Sequence, residues 1–204
     1  MKTTGYLAAA LAAITLTACG DGTGSDLTPG SLAFTYEGAR SGSYSASGTF
    51  ERASDSTFAK QPFAVGAKGS DGANAFVSIL SYLPVTAATG HMVLFALPNV
   101  TAPTTLNVDA GCATAECPAI AVVFDTNPDE SEDEADFYVF ESGTIEVTSV
   151  SSSRMRGTFS GTATEFFGDQ SITVTNGTFD VPLVNPRFLL TRTLPAARIE
   201  SRQR

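Results

Sequence analysis

The sequence predicts an all-β protein, either an antiparallel β-sandwich or a related barrel. From residue 31 onward, short runs rich in β-branched and aromatic residues are separated by Gly, Pro, Asn and Ser. Beyond the N-terminal segment, no stretch of helical length keeps apolar residues at the i, i+3, i+4, i+7 spacing. The 14 Phe and 18 Gly also suit strands joined by tight turns.

Twelve runs have the length and composition of strands. They cover residues 32–36, 44–51, 63–67, 75–81, 92–96, 105–108, 119–124, 137–141, 144–150, 155–164, 172–175 and 178–184. One short helix fits within residues 81–89, where Pro84 limits its length. The runs are spaced closely enough to form one domain over residues 31–194.

Asn176-Gly177 lies between two alternating runs, which is a strong hairpin pattern. A two-residue turn there pairs Val174 with Phe179 on one face, as a half-buried hairpin requires. A single bulged strand through the same residues is the alternative.

The triplet Gly-Thr-Phe occurs at residues 48–50, 157–159 and 177–179. No regular period separates the three copies, so a solenoid or propeller is not indicated. We interpret each triplet as the start of a strand whose phenylalanine faces inward.

Composition excludes two functional classes. The chain carries 12 Lys and Arg against 21 Asp and Glu, a net charge of −9, whereas a nucleic-acid-binding protein needs a basic surface. After the N-terminal segment there is no second long apolar run, which excludes a multi-pass helical membrane protein.

The N-terminus has the layout of an export signal. A single Lys precedes an uncharged apolar stretch that is too short for a comfortable membrane span. It ends in Leu-Thr-Ala-Cys-Gly at residues 16–20, which resembles the lipobox of bacterial lipoproteins. The resemblance implies a signal peptide at residues 1–18 and a lipid attached to the thiol of Cys19. An ordinary secretory signal is the alternative.

Residues 19–30 then read as a flexible, lipidated tether rich in Gly, Thr and Asp. In lipoprotein sorting, Asp directly after the lipidated cysteine favours the inner membrane. Gly20 occupies that position here, so we expect anchoring in the outer membrane of the bacterial envelope.

Three cysteines are present, and removing Cys19 as the lipid site leaves Cys112 and Cys117. An exported protein meets an oxidising compartment, so this pair is predicted to form a structural disulfide. Two free thiols are the alternative.

The C-terminal half carries three strand-like motifs: GTIEVT at 143–148, GTFS at 157–160 and ITVTNGTFDV at 172–181. Together with the lipobox, they resemble the ending of a family of uncharacterised bacterial lipoproteins. The resemblance implies an all-β lipoprotein and brings no activity or catalytic residue with it.

Seven acidic residues lie within residues 125–136, between two predicted strands. Asp125, Asn127 and Asp129 match the first ligands of a calcium loop, and Asp136 is a candidate final ligand. The pattern departs from such loops at Glu130, where they need Gly. A solvated acidic loop and a partner-binding loop are the alternatives.

No constellation for bond-making chemistry is visible, so we expect no enzymatic activity. His91 is the single histidine, no Gly-x-Ser-x-Gly motif accompanies it, and we place it at a strand end. There is no Trp to stack on sugars, and four tyrosines are the available substitutes: Tyr36, Tyr44, Tyr82 and Tyr138. Strand acids such as Glu146 and Asp180 are expected to face solvent.

The last ten residues, 195–204, are predicted to be a basic mobile tail. Five of the 12 basic residues lie within residues 187–204, so contact with anionic lipid or lipopolysaccharide is the alternative. The expected function is therefore a non-enzymatic envelope binding or structural module. The alternatives are a hydrolase with scattered residues, or a calcium- or carbohydrate-binding accessory protein.

Overall fold

The computed structural model describes residues 28–50, 61–71, 74–86, 89–112, 117–126 and 136–184. These residues form ten strands and no helix, which confirms the all-β class. The strands are β1 (Gly30–Gly38), β2 (Gly42–Gly48), β3 (Phe63–Asp71), β4 (Asn74–Pro84), β5 (Gly90–Pro98), β6 (Thr104–Asp109), β7 (Ala119–Thr126), β8 (Asp136–Val150), β9 (Arg154–Glu165) and β10 (Ser171–Val184). Each of the twelve predicted runs overlaps a strand, with two pairs of runs fused into β8 and β10.

Some predictions fall outside these residues. They are the signal peptide, Cys19, the tether as far as residue 27 and the basic tail. Over the described part of the chain, no helix is long and apolar enough to cross a membrane.

Seven strands close into a barrel. The circuit runs β3-β4-β5-β7-β8-β9-β10, and a short parallel pairing of Leu183 and Val184 with Gly66 and Ala67 joins β10 back to β3. Every other pairing is antiparallel. This closure is limited to two residue pairs, so β3 is joined to β10 over only part of its length.

The remaining three strands border the barrel. β1 pairs with the first part of β10, along the edge that β3 uses further on, and β2 pairs with β1. β6 pairs with residues 142–147 of β8, next to residues 136–139, which pair with β7. The long strands β8 and β10 therefore each serve two neighbours along one edge.

The core is aromatic and continuous from β1 through β10. Its one buried polar side chain in the described residues, Ser81, is fully satisfied. The Ser81 hydroxyl donates to the Phe63 carbonyl at 3.0 Å and lies 2.8 Å from the Tyr44 hydroxyl. Burial raises the pKa of Tyr44, so this hydroxyl stays neutral.

A second, smaller cluster lies on the other face of β3 and β4. It contains Phe63, Val65, Ala67, Tyr82 and Val184, all buried. Over residues 63–67 both faces of β3 are therefore apolar and buried, which explains why this part of its sequence does not alternate between apolar and polar residues.

Two of the Gly-Thr-Phe triplets face each other on β9 and β10. Gly157 pairs with Phe179, and Gly177 pairs with Phe159. A Cβ atom on Gly157 would lie 2.5 Å from the Phe179 ring, and one on Gly177 would lie 2.6 Å from the Phe159 ring. Each glycine therefore makes room for the phenylalanine of the opposite triplet, and each phenylalanine fills the space its partner glycine leaves. The inward-facing phenylalanines are confirmed for these two copies, but the prediction that each triplet starts a strand is wrong, because β9 begins at Arg154 and β10 at Ser171.

The hairpin predicted at Asn176-Gly177 is wrong, and the bulged strand is correct. β10 continues through these residues with one extra residue relative to both β9 and β1. Asn176 takes a left-handed backbone conformation with φ 53°, which Asn adopts more readily than most residues. The turn-forming tendency of Asn-Gly is used here to build a β-bulge.

The short helix predicted within residues 81–89 is also wrong. Ser81 through Pro84 complete β4, and a turn closes through hydrogen bonds from the backbone N–H groups of Val85 and Thr86 to the carbonyl of Thr89. The predicted disulfide is confirmed: Cys112 and Cys117 are bonded between β6 and β7, with Cα atoms 5.9 Å apart.

The two ends of the barrel differ in what they carry. At one end, here called the far end, lie the β1–β2, β4–β5, β7–β8 and β9–β10 connections. The strand ends that they join are neighbours, because each pairs with the next around the barrel, from Pro84 at the end of β4 to Gly38 at the end of β1. At the opposite end, the base, the chain enters at Gly30 and leaves at Val184. Gly30 is next to Pro182, so entry and exit are neighbours.

Candidate functional site

A cluster of charged and aromatic side chains closes the far end of the barrel. Arg40, in the β1–β2 connection, donates to Asp125 at the end of β7 with an Nη1–Oδ2 distance of 2.8 Å. Its other terminal nitrogen pairs with Asp136 at the start of β8. The guanidinium also lies 5.3 Å from the centre of the buried Phe124 ring. Since β1 is separated from β8 by β10 and β9, Arg40 spans the barrel opening.

A bulge in β7 places Asp125 in this cluster. Gly90 pairs with Thr126 and Met92 with Val123, so two residues of β7 lie opposite His91 alone. Asp125 takes a left-handed conformation with φ 56°, and its backbone N–H donates to Nδ1 of His91 at 3.1 Å. The bulge interrupts the ladder and leaves the Asp125 N–H without a strand carbonyl as acceptor. The ring of His91, the second residue of β5, takes the place of that acceptor.

The environment keeps His91 neutral near pH 7. Burial lowers the pKa of His91 and outweighs the opposite effect of the Asp125 carboxylate, while repulsion from Arg40 makes a smaller contribution in the same direction as burial. Burial also opposes the charge of Arg40, but the hydrogen bond that Arg40 donates to Asp125 and the negative charges of Asp136 and Asp125 outweigh burial and raise the pKa of Arg40.

Acid is expected to weaken this end of the barrel through His91. Because the pKa of His91 is lower in the folded state than its unfolded value of 6.5, the unfolded chain binds the extra proton more readily. Stability should therefore fall as the pH drops through 6.5, until the folded-state pKa is passed. The His91→Gln variant keeps an acceptor for the Asp125 N–H without titrating. We expect its urea-unfolding free energy to fall less between pH ~7 and ~5 than that of the wild type. Equal losses in both proteins would contradict this role of His91.

The structure brings together two of the four calcium-ligand candidates. Asp125 and Asp136 both contact Arg40, while Asn127 and Asp129 lie outside the described residues. Among described side chains, no group of three or more His, Cys, Asp or Glu is placed to hold a metal ion. The calcium loop stays a prediction.

The β9–β10 turn carries an exposed aromatic pair that the sequence analysis did not single out. Phe167 is 87% exposed and Phe166 is 43% exposed. The Phe166 ring contacts Phe137 and Phe167, with ring centres 5.5 and 4.8 Å apart. The turn is held by hydrogen bonds from the Phe166 N–H to the Phe137 carbonyl at 2.7 Å and from the Glu165 N–H to the Gln170 carbonyl at 2.8 Å. The sequence contains an indication of this exposure, since two consecutive phenylalanines are followed by Gly-Asp. Adjacent residues of a strand point to opposite faces, so both rings cannot face the core.

An open groove of about 490 Å³ lies on the outer face of β8, β9 and β10. Most of the residues that line it present hydroxyl, carboxylate or amide groups. They are Thr144, Glu146, Thr158, Phe159, Ser160, Asn176, Gly177 and Thr178. Phe159 is 3% exposed, so the accessible lining is polar. Glu146 is exposed, as predicted.

Asp180 does not simply face solvent as predicted. It pairs with Arg154, and Arg156 Nε lies 3.0 Å from its Oδ2 atom. Burial alone would raise the pKa of Asp180, but these two arginines hold that pKa below its usual value. Arg154 also donates to the Thr28 hydroxyl at 3.0 Å and to the Pro29 carbonyl at 3.1 Å, which fixes the point where the chain enters the barrel.

The prediction that four tyrosines could stack on sugars is wrong. Tyr44, Tyr82 and Tyr138 are at most 4% exposed, and the partly buried Tyr36 packs on Phe124 at 5.0 Å between ring centres. A ring can stack on a sugar only when one face is open to solvent.

Comparison with protein-family models, with curated proteins and with solved structures finds no match to this chain.

Proposed function

We propose that the chain is a bacterial lipoprotein, anchored through Cys19 in the outer membrane, and that it acts as a non-enzymatic binding module. The lipobox-like sequence at residues 16–20 supports the anchor. The disulfide between Cys112 and Cys117 is compatible with an exported protein.

The arrangement around His91 supports a role in structure rather than in catalysis. Its Nδ1 atom accepts the Asp125 N–H, and both neighbouring carboxylates pair with Arg40. A general base needs a ring nitrogen directed at a substrate proton, and a catalytic carboxylate needs access to the reacting atoms.

The observation that carries the proposal is the separation of the tether from the exposed phenylalanines. The chain enters the barrel at its base, beside Pro182, whereas Phe166 and Phe167 lie at the far end. β10 runs between the two ends with 14 residues, a length of roughly 43 Å at 3.3 Å per residue. A protein tethered at its base therefore presents the aromatic turn away from its own membrane.

The aromatic turn has the properties of a docking element. Burying one phenylalanine side chain contributes about 1.5–3 kcal/mol, and a turn already held by hydrogen bonds loses little entropy on binding. Glu165 and Asp169 flank the pair. A protein with an apolar pocket edged by basic side chains fits this surface better than an anionic lipid surface does.

The docking role is tested by a photo-crosslinking amino acid placed at Asp169 in cells. We expect a discrete crosslinked complex that is at least fivefold weaker in the Phe166→Ser/Phe167→Ser background. The Val85→Ser variant is the matched control, because Val85 is 51% exposed on another far-end connection. Unchanged crosslinking without the two phenylalanines would rule out the turn as the docking element.

A further inference from the structure

We infer that the groove on β8, β9 and β10 is a binding site for a polysaccharide chain. This goes beyond the proposed function, because the groove lies on the side of the barrel and not at the far end.

The ladder registers arrange polar groups in two neighbouring rows across the groove. Glu146, Thr158 and Thr178 are cross-strand neighbours and form one row. Thr144 and Ser160 form the next row, two residues further along β8 and β9. All five side chains are exposed, at intervals of roughly 4.8 Å across the strands and about 6.7 Å along them.

The bulge in β10 adds an amide to the second row. Thr175 and Asn176 are both exposed, whereas regular alternation would turn one of them inward. The Thr35 hydroxyl lies 2.9 Å from the Thr175 hydroxyl and accepts a hydrogen bond from the Asn176 amide at 3.3 Å. The side chain of Asn176 is thereby held at the groove, with its amide oxygen as a further acceptor.

The chemistry of the lining selects the ligand class. Hydroxyl and amide groups donate and accept hydrogen bonds, and the Glu146 carboxylate accepts from hydroxyls. This set complements the hydroxyl and amide groups of the sugar units in a polysaccharide chain. A phosphate-rich ligand would meet a carboxylate and no basic side chain among the lining residues.

The shape of the groove favours a polymer over a small molecule. Small ligands are held in concave sites that bury most of their surface, which an open groove does not provide. A polysaccharide spreads weak contacts along the groove, and many copies of a tethered protein on one polymer gain from multivalency. Because the one aromatic ring in the groove lining, that of Phe159, is buried and cannot stack on a sugar, each single site is expected to bind weakly.

The test uses the full chain in mild detergent, with purified peptidoglycan sacculi in a sedimentation assay and immobilised lipopolysaccharide as the second glycan. The Thr158→Val/Thr178→Val pair removes two facing hydroxyls and keeps the β-branched shape. The control pair is Thr162→Val/Thr173→Val, which face each other in the next part of the same ladder and lie outside the groove. Melting curves of both pairs check folding, and Glu146→Gln is a single-atom variant that leaves the strands unchanged.

We expect the bound fraction of the wild type to fall at least fivefold in the groove pair and in Glu146→Gln, and by less than twofold in the control pair. Loss on sacculi assigns peptidoglycan as the source of the glycan, and loss on lipopolysaccharide alone assigns its polysaccharide. A wild type that binds neither glycan, or equal losses in the two threonine pairs, would overturn the inference. Neither result depends on the lipid or on the phenylalanine turn, so the docking proposal stands or falls separately.

Discussion

Replacing Phe179 with alanine is expected to lower the free energy of unfolding by about 3–5 kcal/mol. Phe179 is 2% exposed and packs against Phe95, with ring centres 5.8 Å apart. Its ring also covers Gly157, which has no side chain to move into the vacated space. The cavity should therefore collapse little, which places the loss in the upper part of this range.

Equilibrium unfolding in urea measures this loss, and the chain supplies a matched control. Phe167→Ala makes the same change at a position that is 87% exposed, and should alter stability by no more than about 0.5 kcal/mol. If Phe179→Ala leaves too little folded protein to measure, Phe179→Leu retains most of the volume and gives a smaller loss. Equal effects at positions 179 and 167 would contradict the reciprocal packing of the two triplets.

The same triplets show how far local sequence predicts this fold. Alternation and turn residues were enough to locate the described strands that bury one face, and β3 was located as a continuous apolar run because both of its faces are buried over residues 63–67. They were not enough to separate a hairpin from a bulge at Asn176-Gly177. That choice depends on β1 and β9, which pair with β10 on both sides of the bulge and hold its two halves in one strand.

The far-end cluster was less accessible to local reasoning. Asp125 and Asp136 were selected for their spacing, but the partner of both is Arg40, which lies 85 residues from Asp125 in the sequence. Nothing in the sequence around Arg40 indicates that it pairs with these two carboxylates. The contact exists because barrel closure brings the β1–β2 and β7–β8 connections to the same end, and closure is a property of the whole sheet.

The exposed and buried aromatic residues illustrate the same limit. Tyr44 and Tyr138 have a hydroxyl that suits a binding surface, yet both are buried in the core. Phe167 is apolar and lies in solvent. Side-chain polarity alone predicts that the tyrosines are more exposed than the phenylalanine. Their positions on strands and turns decide instead which of them a partner can reach.

Replacing Cys19 with alanine is expected to move the protein almost completely from the membrane fraction to the soluble fraction of the cell envelope. The lipid is attached through a thioether, so a residue without a thiol cannot carry it. Acyl chains contribute about 0.8 kcal/mol per buried methylene, and two or more chains give stable anchoring.

Cell fractionation and intact mass of the mature chain measure this outcome, and the other two cysteines provide the control. A Cys112→Ala/Cys117→Ala protein lacks the disulfide, at a cost of roughly 2 kcal/mol, but keeps the acylated thiol and should remain in the membrane fraction. The wild-type mass should correspond to a chain that begins at Cys19 and carries a diacylglyceryl group. A wild-type chain recovered as soluble protein without lipid would instead identify residues 1–18 as an ordinary secretory signal, and the base of the barrel would then have no membrane to face.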